Sequence, residues 1–504
     1  MDTFSLLGHG FSVALTPTNL LYVFLGVLIG TVIGLLPGLG PTATIAVLLP
    51  FTYQVEPVTA IIMLAGIYYG SMYGGTITSV LLSLPGEAAS VVTTFDGYQM
   101  AKQGRAGPAL GIAAIGSFIG GTLAILMITL LAVPIARVAL KVGPPEYTLL
   151  TFFGILLVAF LGTTSFPRSA LMACVGLLLA VVGQDAITGT PRLTMGNLEL
   201  LDGFDIVIIA MGVFGVGELL NTILSNDEAS GALPKVGNVY PNRQDLRDSR
   251  GPIARGSVVG SIIGCIPGGS GLLSSLASYG LEKRVAKDPS RFGKGAIEGV
   301  AGPETANNAA SQTSFVPLLT LGLPTNAVLA LMLGALMVHG VTPGPTLIED
   351  HPDIFWGVIA SMYIGNVILL VLNLPLVGVF VMILRVRARV LASLTMVVVM
   401  LGVYTIQYSV FDMWLVLAFG LLGFWLKRAG FDPAPLVLAF ILGDLMESAF
   451  RRSLLISNGS LSIFVQSPVL IIALVLTVVV FGYSRMRAVA SARRAVRAMA
   501  DHES

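Results

Sequence analysis

Charge is scarce in this chain. Asp, Glu, Lys and Arg make up 11% of its 504 residues, against about 25% in a soluble protein, too few to cover an ordinary water-facing surface. Net charge is +1, so no global field recruits nucleic acid or an acidic surface. Cysteine is limited to Cys174 and Cys265, both in apolar context, which argues against a disulfide framework and a cysteine metal site. The 4 histidines never pair at ligand spacing with another candidate ligand. Met1–Asn19 lacks the basic region of a cleavable signal peptide, so the first hydrophobic segment is expected to be retained. His-Glu-x-x-His, Gly-x-Gly-Asp and phosphate-binding glycine loops are missing as well. An intramembrane enzyme and direct ATP drive are therefore disfavoured.

Apolar length is abundant. Hydrophobic residues reach 55%, and the runs Ile206–Leu224, Phe355–Leu384 and Val469–Tyr483 reach or approach the roughly 20 residues that span a bilayer. The expected fold is an all-α polytopic membrane protein of about a dozen spans. The 58 glycines and 27 prolines exceed what simple lipid-facing helices need and point to close packing and interrupted spans.

The interruptions repeat. Gly30-Thr-Val-Ile-Gly34-Leu-Leu-Pro37-Gly38-Leu-Gly40 returns as Gly260-Ser-Ile-Ile-Gly264-Cys-Ile-Pro267-Gly268-Gly269-Ser270, with Gly260 lying 230 residues after Gly30. Val80-Leu-Leu-Ser-Leu84-Pro85-Gly86-Glu87-Ala88 returns as Leu319-Thr-Leu-Gly-Leu323-Pro324-Thr325-Asn326-Ala327, with Pro324 lying 239 after Pro85. Pro removes a backbone donor and Gly loosens a helix, so each motif breaks its apolar segment. Broken backbone at membrane depth is tolerated only inside protein or around a polar cavity, and matched breaks in two halves point to a transporter's binding site.

Equivalent loops differ in charge. Gln54–Pro57 has no Lys or Arg, whereas its counterpart carries Lys283, Arg284, Lys287, Arg291 and Lys294; Lys102 and Arg105 oppose Glu349, Asp350 and Asp353. Basic loops stay in the cytoplasm, so the halves are expected to form an inverted repeat. The linker basic residues Lys235 to Arg255 and the basic loop at 283–294 then share a side, although only about 26 residues separate them, too few for two crossings of about 20. The segment should enter and return as a hairpin with its tip near 267–270, and 37–41 should do likewise from outside. The expected organisation is a first repeat over 1–225, a polar cytoplasmic linker over 226–256, a second repeat over 257–484 and a basic cytoplasmic tail over 485–504. Arg137, Lys141, Arg451 and Arg452 fall on the predicted outer side, against the charge rule.

Small polar groups at the breaks are the candidate ligands. Gly38, Gly40 and Thr42 flank one tip, and Gly268, Gly269 and Ser270 the other; small volume lets a solute reach the backbone, and hydroxyls bond carboxylates without fixed charge. Tyr73, Gly74 and Gly75 in the first half, with Asn307, Asn308 and Ser311 in the second, are polar or small positions between apolar flanks, where polar groups need partners. Thr325 and Asn326 follow the second Leu-Pro break, and Glu87 is the counterpart of Asn326. Glu304 could bind sodium, carry a proton, or cap a helix starting after Pro303. The carbonyls freed around Pro267 and Pro324 could complete a cation site. Glu218, Asp444 and Glu447 sit near run ends, where they would reach an interface or pair with basic residues.

The stretches Gly34–Pro41, Tyr73–Gly75, Asp96–Ala101, Phe292–Ala310 and Leu321–Asn326 together resemble the large membrane (permease) subunit of the tripartite tricarboxylate transporter family over essentially the whole chain. The long 292–310 motif is the specific one. This resemblance implies a permease of the prokaryotic inner membrane that works with a small membrane subunit and a periplasmic solute-binding protein. It implies uptake of carboxylates, citrate being the type substrate, driven by sodium or protons through elevator-like alternating access, without other cofactor. It leaves open the solute and a homo-oligomeric state. A channel-like or scaffolding membrane subunit is the alternative.

Overall fold

The computed structural model describes residues 3–36, 40–161, 164–185, 188–224, 236–384, 388–407 and 409–466. Pro37, Gly38, residues 226–235 of the expected linker, the run Val469–Tyr483 and the basic tail 485–504 lie outside the described residues. The first half comprises α1 (Thr3–Ala14), α2 (Pro17–Gly34), α3 (Pro41–Thr52), α4 (Pro57–Leu82), α5 (Thr93–Lys102), α6 (Ala106–Ala139), α7 (Pro144–Leu161) and α8 (Phe166–Ala180). After a two-residue antiparallel strand pair at Gly183–Gln184 and Pro191–Arg192 come α9 (Ile206–Ala210), a π-helical stretch at Met211–Val216 and α10 (Gly217–Leu224). The second half runs through α11 (Arg243–Gly264), α12 (Gly271–Val285), α13 (Glu298–Thr313), α14 (Phe315–Leu321), α15 (Ala327–Val338), α16 (Leu347–Asp350) and α17 (Pro352–Asn373). It continues with α18 (Val377–Ile383), α19 (Ala388–Gln407), α20 (Val410–Arg428) and α21 (Ala434–Ile456).

The chain is an all-α polytopic membrane protein: among the described residues, 7 helices are long and apolar enough to cross a bilayer. Further apolar segments fall below that length because breaks shorten them. Phe355–Leu384 is divided between α17 and α18, and α3, α8 and α15 are apolar but under 18 residues. The later part of the expected linker, from Arg243, is helical. Asn242 caps α11, its side chain accepting from Asp245 N at 2.8 Å while Asp245 accepts from Asn242 N at 3.3 Å, a reciprocal cap that starts the helix within the polar stretch.

Helix packing carries the duplication. A Cβ on Gly26 would lie 2.5 Å from the Met63 carbonyl oxygen, and one on Gly30 2.5 Å from that of Ile67; Gly34 meets Ser71 in the same way. In the second half Gly256 faces the Gly302 carbonyl at 2.5 Å, Gly260 that of Ala306 and Gly264 that of Ala310. Each of these glycines lies 230 residues after its counterpart, and each partner 239 after its own. Glycines one turn apart let α2 lie directly on α4 and α11 on α13, as small residues do between membrane helices. The ends match too. Ser83 after α4 and Gly322 after α14 both take left-handed backbone, at φ 57° and 66°.

The equivalent helices α4 and α13 run antiparallel. Val80 and Val300 both face Gly97, Thr76 Oγ1 donates to Glu304 at 2.6 Å, and the Tyr68 ring lies tilted against that of Phe315 with centroids 6.2 Å apart. Both are enclosed: Val58–Leu81 of α4 and Gly299–Thr313 of α13 are buried throughout.

Each hairpin returns to the level it left. Arg255 on α11 and Glu282 on α12 form a two-point ion pair, Nε–Oε1 2.8 Å and Nη2–Oε2 2.6 Å, which clamps the base of the second hairpin. The start of α2 is fixed to the start of α4 by Thr59 Oγ1 donating to Asn19 Oδ1 at 2.6 Å, and α3 reaches α4 through residues 53–56 alone. Because α4 and α13 are antiparallel, the two bases sit at opposite ends of the molecule. Basic segments collect at one of them. Arg105 pairs with Asp245, Gln103 Nε2 donates to the Lys294 carbonyl at 2.8 Å, and Arg291 pairs with Glu298 at 3.1 Å. The other end holds Asp353, bonded to His9. Arg451, which breaks the charge rule, is neutralised by Asp185 at 2.9 Å and Glu447 at 2.8 Å, and Lys427 pairs with Glu218 at 2.5 Å.

This arrangement sets an expected result. In a background without Cys174 and Cys265, single cysteines at Arg243 and Lys287 should react with an impermeant maleimide from one face of the membrane only, the cytoplasmic one. A cysteine at Asp353 should react from the opposite face. Labelling of 243 and 287 from different faces would rule out the hairpin.

Candidate functional site

Each hairpin tip abuts the Leu-Pro break of its own half. Gly40 begins α3 as its N-cap, followed by Pro41, whose preset φ suits the first helical position. A Cβ on Gly40 would stand 3.4 Å from Glu87 Oε2, and Gly86 lies against the Gly34 carbonyl. In the second half the Gly268 N–H donates to the Thr325 carbonyl at 2.9 Å. Gly268 needs its left-handed φ of 79° for this turn. Ser270 then caps α12, its Oγ accepting from Leu273 N at 3.2 Å, and Asn326 caps α15, its Oδ1 accepting from Leu329 N at 3.1 Å.

Asn326 links the halves. Its Nδ2 donates to Tyr68 Oη on α4 at 3.0 Å. Gly271, at the start of α12, faces Ala89, Asn307 and Met72, and Ser275 Oγ sits 2.9 Å from the Ala89 carbonyl and 3.2 Å from that of Pro303. The second tip is thereby seated on the first half's break. Gly40, Thr42, Ser270, Asn326 and Glu87 are all half-buried. Thr325 is fully buried. Pro267 lies in the short tip between α11 and α12, and Pro324 between α14 and α15.

Other predicted residues face elsewhere. Tyr73 Oη donates to Asn366 Oδ1 on α17 at 2.8 Å, while Asn366 donates onward to the Phe118 carbonyl and Thr122 Oγ1, both at 2.9 Å. Gly74 packs on the Thr31 carbonyl, Gly75 on Glu87 and Ser90, and Gly269 on the Ile263 carbonyl. These are close helix and turn contacts. Ser311 Oγ returns to the Asn308 carbonyl at 2.9 Å. Gly38 lies outside the described residues.

A second polar cluster surrounds Glu304. The helix does not begin after Pro303 but at Glu298, so Glu304 is not a cap; it projects from mid-helix with no exposed surface. Its carboxylate accepts from Thr76 Oγ1 at 2.6 Å, from Thr93 Oγ1 and from Asn307 Nδ2 at 3.3 Å. Asn308 Nδ2 lies 2.6 Å from Asn307 Oδ1, 2.8 Å from Ser117 Oγ and 3.0 Å from the Glu304 carbonyl, whereas Asn308 Oδ1 has no partner. Thr93, Ser117 and Tyr68 are not among the site residues expected from the sequence, since their partners lie in the other half and no motif announces the pairing. Asp96 gains a role: one carboxylate oxygen accepts from Gly293, Gly295 and Ala296 N at 2.8 to 2.9 Å and the other from Tyr279 Oη at 2.9 Å. It ties α5 both to the loop before α13 and to the second hairpin.

Fold and centre together define a polytopic membrane protein built from two antiparallel halves, each with a broken hairpin whose tip meets a second break. The tripartite tricarboxylate transporter TctA family matches residues 20–438, and the chain belongs to that family, a membrane component of such transporters. It is 50% identical over 469 residues, covering 93% of both chains, to an Agrobacterium vitis protein described as an uncharacterized 52.8 kDa protein in the TAR-I ttuC' 3' region. It is 50% identical over 210 residues, 42% of this chain and 87% of the relative, to an Agrobacterium vitis protein described as uncharacterized in the TAR-II ttuC' 3' region. No solved structure matches.

Proposed function

We propose that this protein is the permease subunit of a binding-protein-dependent secondary transporter that imports a carboxylated solute, a tricarboxylate or a relative, by elevator-like alternating access. One observation carries the reading: two hairpins enter from opposite ends of an antiparallel pair, and Asn326 at the second break bonds Tyr68 on α4 of the first half. Two tips backed by opposed bases give one site two routes of access, which a continuous pore does not need. The solute sits between Gly40–Thr42 on one side and Gly268–Ser270 with Thr325 and Asn326 on the other, its carboxylates bonded by hydroxyls, amides and the N-terminal ends of α3, α12 and α15. The small membrane subunit and a periplasmic binding protein complete the system in the prokaryotic inner membrane.

Bringing one anionic charge in against an inside-negative potential costs about 2.3 kcal/mol per 100 mV, so cations or protons must accompany the solute. Proteoliposomes holding this chain and the small subunit, supplied with loaded binding protein, are expected to accumulate labelled citrate or another carboxylate only under an imposed sodium or proton gradient. Accumulation with both gradients collapsed would refute secondary transport.

A further inference from the structure

Glu304 is a carboxylate enclosed at the centre of a membrane protein, and among the described residues no Lys, Arg or His pairs with it. An isolated charge in such a place is too costly to persist. Either a mobile ion neutralises it or a proton does. Apart from Tyr69, whose buried hydroxyl has no hydrogen-bond partner and turns to Gly365 on α17, the titratable groups that face it from the elements packed around it have other partners or places. On α4, Tyr73 donates to Asn366 and Tyr68 accepts from Asn326, and Tyr69 is fully buried. On α5 and α12, Asp96 and Tyr279 bond each other. Glu282 on α12 is held by Arg255 on α11, Arg105 before α6 by Asp245, and Glu87 stands beside the first tip.

The hydrogen-bond geometry suits a proton. Thr76 Oγ1 lies 2.6 Å from Glu304 Oε2 and 3.3 Å from the Met72 carbonyl. A protonated Oε2 can donate to Thr76 while the Thr76 hydroxyl turns to Met72; an ionised Oε2 accepts from Thr76 instead. Both states are satisfied by one hydroxyl rotation, without moving backbone. Thr76 also lines, with Tyr73, Ser117 and Asn373, a cavity of about 10 Å³, room for about one water. The Asn373 Oδ1 in its wall is buried and unpartnered, a ready acceptor for that water. Cavity, Thr76 and Glu304 therefore form a short path for a proton.

From this juxtaposition we propose that Glu304 is the proton-loading site of the transport cycle. It takes a proton from water on the outer side to become a neutral carboxylic acid, and returns it to cytoplasmic water to regenerate the carboxylate, with no other bond made or broken. Its role in coupling rests on the transport reading above; its proton chemistry does not. The test accordingly has two arms. Infrared spectra of the purified full chain at neutral pH should show a protonated-carboxyl band that is lost in Glu304→Gln and shifted in Thr76→Val, which removes its hydroxyl partner. In proteoliposomes, stimulation of uptake by an inward proton gradient should fall to onefold in Glu304→Gln. No Glu304-dependent carboxyl band, or a carboxylate band that moves on sodium addition, would overturn the proposal whether or not transport is observed. A wild-type-like proton response in Glu304→Gln would overturn it as well. A Glu304-dependent band in a chain that moves no solute would retain the proton site and discard the transport reading.

Discussion

Gly260→Leu is expected to yield protein that fails to form a monodisperse species in detergent, whereas Gly280→Leu is expected to behave as wild type. A Cβ on Gly260 would lie 2.8 Å from Ala306 Cα, with the Ala306 carbonyl oxygen nearer still. Both are backbone atoms of a helix buried on every side, so no rotamer change can relieve the clash. Overpacking costs about 1–3 kcal/mol where side chains can shift; here the loss should reach or exceed the top of that range. Gly280, on the outward face of α12, has open space around its Cα. Gly30→Leu should repeat the defect in the first half, because Ile67 backbone stands 2.5 Å from its Cβ. Fluorescence-detected size exclusion and thermal melting of the three variants provide the measurement. Equal stability for Gly260→Leu and Gly280→Leu would mean that the glycine row is not what seats α11 on α13.

Asn326→Leu is expected to abolish measurable uptake, and Asn326→Ser to lower it strongly with little loss of stability. Asn326 does two things: Oδ1 caps α15, and Nδ2 holds Tyr68 on the opposite half. Leu removes both, at about 1 kcal/mol for the cap and about 1–3 kcal/mol for a buried hydroxyl left without its donor. Serine still caps but is too short to span the 3.0 Å contact from the longer amide. If bridging the halves matters to the cycle, the serine variant should lose about 10-fold or more in rate, the equivalent of 1.4 kcal/mol. The check is initial uptake rate set beside melting temperature for both variants. A serine variant that transports normally would reduce Asn326 to a helix cap.

The breaks were legible because their cause is local. At these positions Pro-Gly and Leu-Pro do interrupt the helices, and the offsets of 230 and 239 survive as the spacing of the packed glycines and of the residues they pack on. The hairpin base was legible from charge and length, since too few residues separate two basic segments. Partner choice was not. Nothing in the vicinity of Glu304 announces that Thr76 and Thr93, more than two hundred residues away, bond its carboxylate. Tyr73 looked like a ligand beside two glycines, yet helical rotation turns its hydroxyl towards Asn366 on α17. Pro303 suggested a helix start, but α13 begins at Glu298 and carries the proline inside it, held between α11 and α6. Asp96 was visible only as part of a motif; its bonds to Gly293, Gly295 and Ala296 depend on how a distant loop folds.

The enclosure of α13 has a bearing on biogenesis. This helix presents Glu304, Asn307, Asn308, Ser311 and Gln312 within sixteen residues, and it is not among the helices apolar enough to cross a bilayer. Placed in lipid by itself, it would leave a carboxyl and several amides unsatisfied. The hydroxyls that receive them, Thr76, Thr93 and Ser117, all belong to the first half and leave the ribosome earlier. The first half is thus a template awaiting its complement, and the polar helix can leave the aqueous phase only by docking onto it. Synthesised separately, the first half should insert and persist, while the second should remain dependent on the first for residence in the membrane.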